Sequence, residues 1–175
     1  MNKPFSIFLA VTFPVFMLLP LSKEANAQTS DSQLKTQFTG ENKCLDIIND
    51  GENNKPTMAD CGNFSGQFWS VERTKTRGYY RLRTQFTGKN KCLDIINDGE
   101  NNKPTMADCG NFSGQFWSVE RTKTRGYYRL RTQFTGKNKC LDIINDGENN
   151  KPTMADCGNF SGQFWNFSNY KKLPI

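Results

Sequence analysis

Three aspartates set 48 residues apart, Asp46, Asp94 and Asp142, are the side chains in this sequence best suited to holding a polar ligand. Each stands two residues after a cysteine, in a repeated Cys-Leu-Asp-Ile-Ile. An ionised carboxylate is acceptor-only and can take two adjacent hydroxyls; the competing use of the same residue is to cap a turn in the polar loop that follows. After the second cysteine of each copy come an amide and a ring, Asn63 and Phe64, Asn111 and Phe112, Asn159 and Phe160. The rings offer a stacking face, or alternatively a cover for one end of a barrel. With the serine that follows, each Asn also fits the glycosylation sequon of a eukaryotic secretory pathway.

The same inventory argues against catalysis. The chain contains no histidine, so no Ser or Cys nucleophile has its usual base. Three carboxylates in identical settings suggest multiple binding sites rather than an acid and a base held in different environments. No metal centre is expected: the two cysteines of a copy lie far apart with no histidine to complete a zinc site. The loop Asn49-Asp50-Gly51-Glu52-Asn53-Asn54 lacks the ligand spacing of a calcium loop. Nothing in the sequence calls for a cofactor.

The elements that must position these residues repeat with them. Gln37 recurs as Gln85 and Gln133, and the stretch Gln37 to Thr84 matches Gln85 to Thr132 except that Glu41 becomes Lys89. The third copy matches through Trp165 and then diverges into Asn166-Phe167-Ser168. Three units of 48 residues, approximately 33–80, 81–128 and 129–175, nearly fill the chain beyond residue 28, which points to a closed three-fold architecture rather than a capped solenoid. Within a unit the apolar period is two. Tyr80, Leu82, Thr84 and Phe86 alternate with polar residues, as do Gln115, Trp117 and Val119 with their neighbours. Short strands are also expected around Cys92 and over Thr105 to Cys109, separated by turns at Asn97-Asp98-Gly99 and Cys109-Gly110-Asn111. Four strands per unit give twelve, hence an all-β barrel-like fold.

Residues 1–27 read as a signal peptide: a basic start, an apolar run from Phe5 to Leu21, and small residues at Ala25 and Ala27 before the cut. Cleavage there removes Lys3, Lys23 and Glu24 and takes the net charge from +6 to +5, a moderate basic bias short of a nucleic-acid signature. The product is expected to be secreted or periplasmic, a monomer, without stable membrane insertion. In that compartment six cysteines, two per unit, pair most simply within a copy: Cys44 with Cys61, Cys92 with Cys109, Cys140 with Cys157. Each such bridge contributes about 3 kcal/mol.

The order Tyr-Arg-Leu, Gly-Lys-Asn-Lys-Cys-Leu-Asp-Ile, a second cysteine and then Gln-x-Trp, with the part from Cys-Leu-Asp-Ile to Gln-x-Trp recurring three times, resembles the ricin B-type lectin family. The Gln-x-Trp pairs are Gln67 and Trp69, Gln115 and Trp117, Gln163 and Trp165. The resemblance covers essentially the whole chain after residue 28. It implies a β-trefoil stapled by disulfides, with each Trp in the core and a shallow sugar site in each unit, and it assigns Asp46, Asp94 and Asp142 to the sugar hydroxyls. Two positions depart from the family pattern. The stacking aromatic two residues before the second cysteine is Ala59, Ala107 or Ala155, and the Asn before the Gln is Gly66, Gly114 or Gly162. Loss of an aromatic platform removes about 1–3 kcal/mol of apolar contact, against about 4 kcal/mol for a whole millimolar site.

The function expected is therefore glycan binding at up to three equivalent weak sites, in an exported, non-catalytic protein that does not take nucleic acid. Anionic glycans are included, because Arg81 and Arg83, with Arg129 and Arg131, read as the outward face of a basic strand. The alternative of a different class is a protein-interaction or toxin-accessory module.

Overall fold

The computed structural model describes residues 31–169 apart from 53, 101 and 149; the leader expected at 1–27 lies outside the described residues. Twelve strands follow one another: β1 (Leu34–Thr36), β2 (Lys43–Ile47), β3 (Pro56–Asp60), β4 (Trp69–Arg73), β5 (Tyr80–Thr84), β6 (Lys91–Ile95), β7 (Pro104–Asp108), β8 (Trp117–Arg121), β9 (Tyr128–Thr132), β10 (Lys139–Ile143), β11 (Pro152–Asp156) and β12 (Trp165–Phe167). The period-two alternation becomes pairing in register. Trp69 faces Thr84 and Val71 faces Leu82 on the inner side, while Ser70 and Glu72 face Arg83 and Arg81 outside. β8 and β9 repeat the arrangement from Trp117 and Thr132.

Six strands form one sheet in the order β1-β12-β9-β8-β5-β4. Ser32 and Trp69 then exchange two main-chain hydrogen bonds of 2.9 Å, which join the β4 edge back to the start of the chain and close the sheet into a barrel. Closure leaves no exposed sheet edge on the barrel. The remaining strands make three hairpins, β2 with β3, β6 with β7 and β10 with β11, and these meet one another across one end. A six-stranded barrel capped by three hairpins is the β-trefoil that the sequence implied.

The hairpins are linked head to tail. Met106 N–H donates to the Asn54 carbonyl, Met154 to Asn102 and Met58 to Asn150, each at 2.7 Å. The Thr105, Thr153 and Thr57 hydroxyls reinforce these links at 3.1 Å. A heterologous contact of this kind closes a ring only when its rotation fits the number of units. Here the third copy returns to the first.

The three tryptophans are fully buried and each Nε1–H donates to a hairpin carbonyl, Leu45, Leu93 or Leu141, at 2.8 Å, so the indole adds apolar area without an unpaired donor. In the divergent third copy Phe167 takes the place of Val119 and packs edge-on against Tyr128, ring centroids 5.7 Å apart. The disulfides pair as expected, within each copy.

One expectation is corrected. The arginines of the repeated strand do not present a free basic surface. Arg83 and Arg131 are paired with Glu72 and Glu120 at 2.9 and 2.8 Å. Arg81 reaches the loop after the second cysteine of its own unit, where it donates to the Gly110 carbonyl at 2.6 Å and lies over the Phe116 ring; Arg129 does the same at Gly158 and Phe164. In the first unit Gln33 makes the equivalent bond to Gly62. The outward period of a strand shows which residues leave the core, but not that a neighbouring loop folds over them.

Candidate functional site

Asp46, Asp94 and Asp142 sit on the second strand of their hairpin-bearing units, only 5–7% exposed. In the second unit Gln115 Nε2 donates to Asp94 Oδ2 at 2.9 Å and to the Asp108 carbonyl at 2.8 Å, while its Oε1 accepts from Gly110 N–H at 2.8 Å. The Gln of Gln-x-Trp thus ties together the carboxylate, the end of the hairpin and the loop after the second cysteine. Gln67 and Gln163 repeat all three bonds. The carboxylate is anchored on one oxygen by the glutamine, and the Asp94 and Asp142 carboxyls are also hydrogen-bonded by the backbone at Ile95 and Ile143.

The other oxygen explains the glycine that departs from the family pattern. A Cβ on Gly114 would lie 2.2 Å from Asp94 Oδ1 and 2.3 Å from the Ile95 carbonyl, and Gly66 and Gly162 are equally close to their partners. The short 3-10 turn Ser113–Gln115 therefore packs its backbone directly onto the aspartate. Gly114→Ala is expected to cost stability in the upper part of the overpacking range of about 1–3 kcal/mol, because one obstructing atom is a main-chain carbonyl; urea denaturation checks it.

The phenylalanines do not cover the barrel end. Phe64, Phe112 and Phe160 are 61–62% exposed. Each ring folds back over its own loop, where a Cβ on Gly62, Gly110 or Gly158 would fall within 2.4 Å of it. The sequence Cys-Gly-Asn-Phe carries the signal: a glycine two residues before the ring leaves it a resting place.

In the second unit these residues line one open cavity of about 660 Å³, to which Asp94, Ile96 and Asn97 come from β6 and the loop after it, and Asn111 and Phe112 from the loop after the second cysteine. Ala107 lies in the same wall. The position where the family pattern carries an aromatic is here small, and the ring enters from the adjacent loop. The cavity is completed by Phe134 from the following unit, whose N–H donates to the Ser113 carbonyl at 3.2 Å. Phe86 and Phe38 make the same bond to Ser65 and Ser161, so the link between neighbouring copies recurs around the ring. Sequence reasoning missed Phe38, Phe86 and Phe134, although each ends the alternating run of the first strand in its unit. Ile48, Ile96 and Ile144, 43–46% exposed, were missed as well.

Burial pushes the Asp94 and Asp142 carboxyls above the ordinary 3.8, against the opposing hydrogen bonds from Gln115 and Gln163 and from the backbone at Ile95 and Ile143. Neither has a cationic partner among the described residues. Among the described residues no group of histidines, cysteines or acids is arranged to hold a metal ion.

Fold and site together define a three-fold β-trefoil with an open, carboxylate-lined cavity in its second unit. The family model for the ricin-type β-trefoil lectin domain matches residues 78–174, more than half of the chain. The protein belongs to that family, whose members bind carbohydrate. Solved structures agree on the fold. The designed three-fold symmetric protein ThreeFoil superposes with a TM-score of 0.65 at 21% identity, covering 79% of this chain and 98% of its own. The ricin B-like lectin of Macrolepiota procera, solved with lactose, gives 0.65 at 14% identity over 80% of this chain and 95% of its own. SeviL bound to asialo-GM1 saccharide gives 0.57 at 19%, covering 79% and 96%. No curated protein sequence matches the chain. Among the described residues no helix is long and apolar enough to cross a membrane.

Proposed function

We propose that the protein is an exported, non-catalytic lectin with three equivalent glycan sites. Asp46, Asp94 and Asp142 accept the sugar hydroxyls, Phe64, Phe112 and Phe160 stack on the ring, and Asn63, Asn111 and Asn159 supply amides at the rim. The observation that carries this reading is the single cavity in which Asp94, Asn111 and Phe112 meet. A carboxylate and an exposed aromatic ring lining one cavity suit a pyranose, which offers adjacent hydroxyls on its edge and an apolar face. Neutral glycans are the ligand class, because the strand arginines are engaged within the protein.

A glycan array on the refolded chain, with native bridges confirmed, tests it. Binding of neutral glycans that persists at high salt is the expected result. Binding only to anionic glycans, abolished by salt, or to none, would reject it; the protein-interaction alternative would then stand.

Acid should separate binding from folding. A carboxyl whose folded pKa is raised contributes stability that is fully present below 3.8 and lost as pH rises through its folded value. Sugar binding needs the ionised form and has the opposite sign. As pH falls through the raised values of Asp94 and Asp142, sugar titration calorimetry should show affinity falling while circular dichroism shows the fold intact.

A further inference from the structure

The residue just before Asn111 is Gly110, and it is held from two sides. Its N–H donates to Gln115 Oε1 at 2.8 Å, and its carbonyl accepts from Arg81 Nη2 at 2.6 Å. The Phe112 ring rests on the same glycine. Glu72, which faces Arg81 across the β4–β5 hairpin, is occupied by Arg83, and the Arg81 guanidinium instead lies 5.6 Å from the centre of the Phe116 ring. Arg129 repeats both contacts, at Gly158 and, at 5.3 Å, over Phe164. In the first unit the residue at the corresponding position is Gln33. Its Nε2 donates to the Gly62 carbonyl at 2.9 Å and to Gln67 Oε1 at 3.4 Å. An amide replaces the guanidinium, yet the carbonyl keeps its donor.

We infer that Gln33, Arg81 and Arg129 are positioning residues for the three glycan sites, each clamping the loop from which the amide and the stacking ring reach the sugar. The inference rests on the lectin reading above. Arg81 does not line the cavity, so it acts through Gly110. Asn111 and Phe112 are both exposed, and few contacts of their own hold them in place. A site is only as well ordered as the residues that support it. Where the support is lost, the amide and the ring must be ordered by the sugar itself, which weakens binding by about three- to tenfold. What the carbonyl requires is a donor rather than a positive charge, since the bond at Gly62 comes from a glutamine.

Two single-site chains test the clamp. Phe64→Ala with Phe160→Ala keeps the second site, and Phe112→Ala with Phe160→Ala keeps the first. Each is titrated by nuclear magnetic resonance with lactose and with the free form of the strongest neutral binder from the array, beside a urea melt. Arg81→Met, which keeps an apolar stem and removes the donors, should weaken binding about three- to tenfold in the second-site chain and leave affinity in the first-site chain unchanged. Arg81→Gln should restore the second site. Gln33→Ala should do the reverse of Arg81→Met, weakening the first-site chain alone, and it decides the matter if Arg81→Met does not fold. A purely structural role would lower the urea midpoint alike in both chains and move neither affinity. Unchanged affinity in the second-site chain carrying Arg81→Met, equal weakening of both chains, or failure of Arg81→Gln to restore binding would overturn the clamp and leave the lectin reading standing. Absence of binding by both single-site parents would overturn the two together.

Discussion

Changing Phe64, Phe112 and Phe160 together to Ala is expected to abolish detectable binding to a multivalent neutral glycan and to leave the fold unaltered. The rings are more than half exposed, so their truncation removes little packing, and surface changes of this kind usually stay within about 0.5 kcal/mol. Each site, in contrast, loses the apolar face of its ligand, about 1–3 kcal/mol. Three sites acting on one glycan-coated surface multiply that loss, because avidity contributes a factor of about 10² to 10⁴ that disappears with the individual affinities. Surface plasmon resonance on an immobilised glycan, beside a urea melt of the same preparation, separates the two effects. Retained binding with an unchanged melt would show that the platform lies elsewhere, with Phe38, Phe86 and Phe134 the next rings to change.

Gln115→Ala is expected to have the reverse profile, a loss of about 3–5 kcal/mol in stability. Gln115 is fully buried and serves three groups at once: the Asp94 carboxylate, the Asp108 carbonyl and Gly110 N–H. Each group left without a partner in a dry site costs about 1–3 kcal/mol, and the missing side-chain atoms leave a hole besides. The Asp94 carboxyl also loses a hydrogen bond that lowers its pKa, so its proton should be held to higher pH still. Equilibrium urea denaturation gives the stability loss, and the acid limb of sugar binding gives the pKa movement. A loss under about 1 kcal/mol would mean that the disulfide alone holds the hairpin to the loop.

How much of this the sequence made legible follows from the range of the interactions. The cysteines, the tryptophans and the 48-residue period act within a unit or by simple repetition, and they specify twelve strands, three internal bridges and a closed barrel. Asp94 and Phe112 were identifiable because their chemistry is plain from residue type. Gly114 was legible only as a departure; that it admits the 3-10 turn against Asp94 depends on a contact 20 positions away. Arg81 was misjudged for a related reason, because strand alternation separates inside from outside and says nothing of the Gly110 loop, 29 positions on, that meets it. Phe134 and Asn54 escaped notice since their partners lie across a boundary between copies, where only the closed ring brings them together.

That ring fixes copy number. Met58 needs Asn150, Met106 needs Asn54 and Met154 needs Asn102, so a chain shortened by one 48-residue unit keeps every disulfide and every hairpin yet has no third neighbour to complete the circuit, and a chain lengthened by one has a unit with no place in it. Near-identical tandem units are prone to gain or lose whole copies, and the geometry of the cap filters the products: only lengths that are multiples of three units, or short chains that find partners to make up the three, can bury their hairpins.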